Sequence, residues 1–425
     1  MTDNDNPVAT TTETRRRWRR LSLVLSAVAV LAAATLAIRP AFSETLASCD
    51  EWAEGTSYQV GDTVTYQGGA YTARQAHTAH PGAGWNPADT PTLWTAGGDC
   101  DAPPTETPTD TPTETPTDDP PVDPPDVPVP AHALTGYWHN FVNGSTALRI
   151  SDVPDEYDVI AVAFGESTAN PGEVDFAIDP QLSDQLGGYT EAEFKADIAA
   201  KQAAGKAVII SVGGEKGTVS IADPTQAARF ADSVHGLMTE YGFNGVDIDL
   251  EHGINSTYLA QALHDIAGRA GPGFVLTMAP QTIDMQNPGT EYFKLALAVQ
   301  DILTVVNMQY YNSGTMLGCD GQVYAQGTVD FLTALACVQL ENGLRADQVG
   351  LGLPASPSAA GGGYVDPSVV NDALDCLAKG VNCGSFQPAQ TYPDIRGAMT
   401  WSVNWDVVAG RSFSGTVGPH LDTLP

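Results

Sequence analysis

Basic side chains are scarce in this chain: 19 Lys and Arg face 51 Asp and Glu across 425 residues, for a formal net charge of −32. That balance repels nucleic acid and anionic membranes and suits a neutral or cationic ligand, though most of the acidic excess serves solubility outside the cell. Cysteine is sparse as well. There are six, with no C-x-x-C pair and no histidine at ligand spacing, which argues against a zinc site. Residues 101–130 lack aromatic side chains and hold almost no aliphatic ones, so that stretch cannot build a core.

The length exceeds what one hydrophobic core usually serves, and composition sets the cuts. An arginine cluster (Arg15, Arg16, Arg17, Arg19, Arg20), an apolar run from Leu21 to Ile38 and small residues up to Ser43 form a secretory signal layout. Cleavage after Ala41-Phe42-Ser43 is expected, with a retained anchor as the alternative. Residues 1–43 hold six basic and three acidic side chains, so the remainder carries −35. All six cysteines, Cys49, Cys100, Cys319, Cys337, Cys376 and Cys383, follow the signal, and their even number suits an oxidising compartment. Spacing suggests Cys49–Cys100, Cys319–Cys337 and Cys376–Cys383, among fifteen possible pairings. The expected product is a secreted, extracellular monomer.

Three units follow the signal: 44–100, a linker over 101–130, and 131–425. The Pro/Thr/Asp-rich linker reads as an extended polyproline II tether of up to ~90 Å at ~3.1 Å per residue. The 44–100 unit carries Trp52, Tyr58, Tyr66, Tyr71, Trp85 and Trp94, too many large rings to bury in so small a body. Alternation in Asp62–Tyr66, the turn Gln67-Gly68-Gly69 and the stretch Ala70–Ala73 predict a β-hairpin.

In 131–425, eight apolar runs predict strands: Leu134–Trp138, Val159–Phe164, Ala207–Val212, Gly245–Asp249, Val275–Met278, Val305–Gln309, Val349–Leu353 and Gly397–Trp401. Helical periodicity lies between them at Glu191–Ala203, Thr225–Tyr241 and Ser256–Ala270. This alternation predicts an α/β fold, a (β/α)8 TIM barrel whose function sits at the strands' C-terminal ends. On the fourth strand Asp247, Asp249 and Glu251 recur at every second position, so all three point to one side, with successive carboxylates roughly 6–7 Å apart along the strand. Three like charges in a core are tolerable where they share protons and perform acid/base work.

W-x5-Y-x2-G-D-x-V-x-Y-x-G-x2-Y-x-A followed by HTAHPGAGWNPADTPTLW closely resembles the chitin-binding carbohydrate-binding modules of families 5 and 12. The resemblance makes Trp85 the exposed, chitin-contacting tryptophan. It also shows a departure, since Arg74-Gln75-Ala76 stands where many relatives carry an aromatic pair. The acidic strand resembles the D-G-x-D-x-D-x-E signature of glycoside hydrolase family 18, chitinase D-like and hevamine-like members above all. Ser211-Val212-Gly213-Gly214, Met278-Ala279-Pro280-Gln281, Gln309-Tyr310-Tyr311-Asn312 and Met399-Thr400-Trp401-Ser402 match that family's other strand ends. One departure is Asn244, where the family usually has its first aspartate.

The resemblance implies a chitinase without metal or cofactor, acting on chitin and N-acetylglucosamine oligomers by substrate-assisted catalysis with retention. Glu251 is then the proton donor, Asp249 the partner of the substrate acetamide, Asp247 its proton-sharing neighbour, and Tyr311 the donor to the acetamide carbonyl. Trp401, Met278, Gln281, Gln309, Asn312 and Trp138 are the candidate substrate contacts, Trp138 being equally readable as core. Non-proline cis peptides are expected at Ala163-Phe164 and Trp401-Ser402. Only some forty residues separate the seventh and eighth strands, too few for the subdomain that walls deep tunnels in the family, so an open groove and endo cleavage are expected. Two other functions fit the same residues less well: a catalytically silent chitin-binding protein, and an endo-β-N-acetylglucosaminidase acting on glycoconjugates.

Overall fold

The computed structural model describes residues 51–54, 56–58, 61–74, 77–79, 86–88, 90, 93–97 and 126–425. The signal segment, Cys49, Cys100, Trp85 and residues 101–125 lie outside the described residues. The chain falls into two compact units, Met1–Thr115 and Pro116–Pro425.

In the first unit Thr63–Tyr66 pairs antiparallel with Gly69–Ala73, which pairs in turn with Trp94–Ala96. The connecting residues are Gln67 and Gly68, at φ 50° and 80°. Positive φ at both turn positions matches the right-handed twist of the flanking strands, and it draws Gly69 into the strand rather than the turn. Tyr58 packs edge-on against Trp94 at 5.0 Å, and Trp52 against Tyr66 at 5.2 Å. Tyr58, Val64, Ala73, Ala79 and Trp94 form a small core, with Trp52 packed against it.

In the second unit eight parallel strands close a barrel: β1 (Ala133–His139), β2 (Val159–Ser167), β3 (Ala207–Gly213), β4 (Gly245–Asp249), β5 (Val275–Met278), β6 (Val305–Gln309), β7 (Val349–Pro354) and β8 (Gly397–Trp401). The ring closes by pairing β8 with β1 and β1 with β2. Helices pack around it, among them α1 (Glu191–Ala203), α2 (Pro224–Tyr241), α3 (Ser256–Ala270), α4 (Glu291–Ala298), α5 (Val329–Glu341) and α6 (Pro367–Lys379). α2 shows why such segments become helices. Asp223 caps it by accepting from Gln226 N–H, Pro224 opens it, and Ala227, Phe230, Ala231, Val234, Leu237, Met238 and Tyr241 bury one face at i, i+3, i+4 spacing. The disulfides Cys319–Cys337 and Cys376–Cys383 are both formed.

Alternation along each strand separates two cores. One lies between barrel and helices. The other fills the barrel, from Val159, Ala207 and Val275 at the strands' N-terminal ends up to Tyr137, Ala163, Ala279 and Met399. Val127 belongs to this inner core at 4% exposure, and Arg396 Nη1 donates to the Pro130 carbonyl at 2.7 Å. Residues 126–130, placed in the linker by their composition, therefore plug the barrel's N-terminal end.

Asn244, at the foot of β4, is buried. Its Oδ1 accepts from Val208 N–H at 2.9 Å and from Gln202 Nε2 at 2.8 Å, tying β3 and α1 to the base of the acidic strand. The residue that breaks the family pattern is thus a clamp at the opposite end of β4 from Glu251.

Candidate active site

The strand register decides which side chains enter the barrel. In parallel β-sheet, paired residues face the same way, and Asp247 pairs with Ser211 on β3 and with Thr277 on β5. All three point inward. Ser211 Oγ donates to Asp247 Oδ2 at 2.7 Å and Thr277 Oγ1 to Oδ1 at 2.6 Å, while Tyr137 on β1 donates to Oδ2 at 2.7 Å. The same register turns Met278, expected as a substrate contact, away from the barrel, and gives Trp138 the second of its two readings, core. Met278 pairs with outward-facing Ile248, and Trp138 pairs with Val162. Both are 0% exposed in the core between barrel and helices, where Trp138 Nε1 donates to the Leu148 carbonyl at 3.0 Å.

Asp249 is buried one step above Asp247, and Glu251 is half-exposed at the strand's end. Between these carboxylates sits the Gln309 amide. Its Nε2 lies 2.9 Å from Asp249 Oδ1, 3.2 Å from Glu251 Oε1 and 2.9 Å from the Ala279 carbonyl. Gln281 Nε2 donates to Glu251 Oε2 at 3.3 Å. Tyr292 grips the backbone between the two acids, accepting from Leu250 N–H at 2.7 Å and donating to its carbonyl at 3.0 Å.

The electrostatics separate the two aspartates. Burial raises the Asp247 carboxyl above its ordinary range, but the Thr277, Ser211 and Tyr137 hydroxyls all pull the other way by bonding its charged form. Asp249 is pushed well above the ordinary range by burial and then by the charges of Asp247 and Glu251, against one opposing bond from Gln309. Burial and the two neighbouring charges thus favour a protonated Asp249 more than a protonated Asp247. Tyr137 and Tyr311 are likewise raised by burial and by the neighbouring carboxylates, so both remain phenols that can donate.

Glycines explain the Ser211–Gly214 motif. A Cβ on Gly213, at φ 127°, would stand 2.2 Å from the Asp249 carbonyl oxygen, and one on Gly214 would stand 2.6 Å from the Phe164 ring. Gly214 N–H donates to that same carbonyl at 2.7 Å. The chain after β3 can thus lie directly against the acidic strand.

Beside the carboxylates lies an aromatic floor. Trp401 stacks with Phe164 at 5.8 Å and Phe141 at 6.4 Å, and meets His139 at 4.8 Å and Tyr137 at 5.6 Å. The peptides Ala163-Phe164 and Trp401-Ser402 are both cis, as expected. Asn312 sits exposed at the rim, where its Oδ1 accepts from Gly362 N–H at 3.0 Å and clasps the loop after β7. Sequence reasoning missed Tyr137, Thr277 and Phe141 as site residues. Extending the parity of Asp247 through the strand register would have found the first two.

Between β7 and β8 stand α6 and loops, with no strand. Among the described residues no helix is long and apolar enough to cross a membrane.

The carbohydrate-binding module family 5/12 profile matches residues 51–95, and the glycosyl hydrolases family 18 profile matches residues 133–410. Chitinase Chi52 of Paenibacillus xylanexedens is 32% identical over 88% of this chain and 92% of its own length. A family GH18 chitinase from Chromobacterium violaceum, solved by crystallography, is 38% identical with a TM-score of 0.65, covering 88% of this chain and 100% of that one. A crystal structure assigned as chitinase A of Streptomyces coelicolor is 67% identical with a TM-score of 0.68, covering 69% of this chain and 99% of that one. With the barrel, its acidic strand and these matches agreeing, the chain belongs to glycosyl hydrolase family 18 and carries a family 5/12 carbohydrate-binding module ahead of the barrel.

Proposed function

We propose that this chitinase is secreted, cleaves β-1,4 bonds between internal N-acetylglucosamine units of chitin, and does so with retention through the substrate's own acetamide. The observation that carries the mechanism is the burial of Asp249 in line with Asp247 and Glu251, with one bond from Gln309, a setting that favours its protonated form. A retaining glycosidase needs a nucleophile at the anomeric carbon, and a buried carboxyl that holds its proton is a poor one. The 2-acetamido oxygen of the substrate takes that role.

Glu251, at the solvent-facing end of the column, gives its proton to the glycosidic oxygen as the C1–O bond breaks and the acetamide oxygen bonds to C1. Asp249 accepts the acetamide N–H, sharing its own proton with Asp247 behind it, and Tyr311 donates to the acetamide oxygen. Trp401 supports the sugar ring by stacking. Water then attacks C1 from the face the leaving group vacated, Glu251 takes its proton, and the C1–acetamide bond breaks. Two displacements on opposite faces leave the anomer unchanged.

The segment between β7 and β8 holds one helix and no strand, so no inserted α+β subdomain walls the site there, which supports endo cleavage. The family 5/12 module supports chitin as the polymer held, with Trp85 as its stacking face, and the basic-then-apolar N-terminus supports secretion. A chromogenic chitobioside tests the reading. Hydrolysis by the intact protein and a loss of about 10²–10⁴-fold in Glu251→Gln, at unchanged thermal unfolding, is the expected result. No hydrolysis by either protein points to a binder of chitin.

A further inference from the structure

The Tyr311 hydroxyl has no hydrogen-bond partner among the described residues, so no bond at its tip fixes where the ring points. Its aim is set at the other end, where three loops hold the chain from Tyr311 to Ser313. From the loop after β5, Thr282 Oγ1 donates to Ser313 Oγ at 2.7 Å, and Ser313 Oγ in turn donates to the Tyr311 carbonyl at 2.7 Å. Gln326, just past the short strand Val323–Ala325, accepts from Ser313 N–H through Oε1 at 2.8 Å. From the loop after β7, Gly362 closes a two-way clasp. Its carbonyl accepts from Asn312 N–H at 3.0 Å, and its own N–H donates to Asn312 Oδ1 at 3.0 Å.

Two residue types make this clasp possible. Asn312 sits at φ 53°, in the left-handed region that asparagine tolerates better than most side chains. Gly363 sits at φ 91°, and a Cβ there would stand 2.6 Å from Tyr311 Cα and 2.9 Å from Tyr311 Cβ. The loop after β7 therefore lies directly against the two carbons from which the ring swings. A shift at that base is carried along the whole ring to the hydroxyl, and a misplacement of about 1 Å at a reacting group can cost on the order of 10²-fold in rate.

We infer that Asn312 and Gly363 are positioning residues of Tyr311, fixing the base of its side chain so that the hydroxyl meets the acetamide oxygen as that oxygen bonds to C1. They act through Tyr311 rather than through the sugar, which gives Asn312 a different task from the substrate contact expected of it. The inference rests on Tyr311 being the donor to the acetamide, as proposed above.

The test measures kcat and KM on a soluble N-acetylglucosamine tetramer for the full chain as wild type, Gly363→Ala, Asn312→Gly, Asn312→Asp and Tyr311→Phe, each at its own pH optimum. Gly363→Ala and Asn312→Gly are also each combined with Tyr311→Phe. Gly363→Ala should lower kcat about tenfold with KM within about twofold. Asn312→Gly keeps the backbone conformation and removes the acceptor of Gly362 N–H, so kcat should fall about threefold. Asn312→Asp, which still offers that acceptor, should recover the loss. In the Tyr311→Phe background either change should cost less than about 1.5-fold, because the hydroxyl it positions is gone. Costs that persist in full in that background overturn the inference, as does unchanged kcat in Gly363→Ala or Asn312→Gly, or a loss confined to KM, the mark of a direct sugar contact. Wild-type kcat in Tyr311→Phe would instead overturn the role of Tyr311 itself, and that failure is read without either loop variant.

Discussion

The Tyr137 hydroxyl donates to Asp247 Oδ2 at 2.7 Å from β1, three strands round the barrel from β4. It is one of three hydroxyls holding the charged form of a fully buried carboxyl. Removing it in Tyr137→Phe should cost about 1–3 kcal/mol of stability. It should also draw the shared proton from Asp249 towards Asp247, lowering kcat on a soluble oligomer by about tenfold. Denaturant unfolding and initial rates check both, and a stable variant with full kcat contradicts the proton-sharing role.

Asp249 sets a pH dependence of stability. A carboxyl whose folded pKa is raised favours the folded state fully only below its unfolded value, near 3.9, and that contribution is lost as pH rises through the folded pKa. Asp249→Asn lacks this loss. Its melting temperature relative to wild type should therefore climb steadily from about pH 4 upward, while activity falls. A difference that stays constant with pH contradicts the proton placement.

Asn244→Ala removes the acceptor of Val208 N–H and Gln202 Nε2 at the base of the barrel. The expected cost is about 1–3 kcal/mol in unfolding free energy, with the pH profile of kcat unchanged because Glu251 stands at the other end of β4. A shifted profile would show that the clamp reaches the catalytic end.

A chain starting at residue 126 keeps Val127 in the barrel's inner core and the Arg396–Pro130 bond, whereas one starting at residue 131 loses both. The shorter chain should melt several degrees lower, since burying a valine contributes about 1.5–3 kcal/mol. Both should cleave soluble oligomers and lose activity on insoluble chitin relative to the full chain. Equal melting temperatures contradict the plug.

Strand positions were legible because each barrel strand is a short apolar run between turn residues. The column Asp247, Asp249, Glu251 was legible because carboxylates at a spacing of two share one face of a strand, where like charges are costly unless they do chemistry. Met278 was misplaced, and Trp138 left open between subsite and core, for a related reason. A wholly apolar strand does not declare which of its two faces points inward, and only the pairing with Asp247 settles that parity. Tyr137 and Thr277 stayed hidden behind the same ambiguity. Val127 was hidden differently, as one apolar residue in a proline-rich stretch, buried only because the barrel end has room for it. Asn244 needed partners 36 and 42 residues away to make sense.

Retention requires Glu251 as acid and the substrate's acetamide as nucleophile. Digesting an N-acetylglucosamine hexamer and resolving the first products by anomer and by length tests it most directly. The expected result is β-anomers at the new reducing ends, early dimers, trimers and tetramers together, and no such products from Glu251→Gln. Initial α-anomers, or unchanged cleavage by Glu251→Gln, would contradict it.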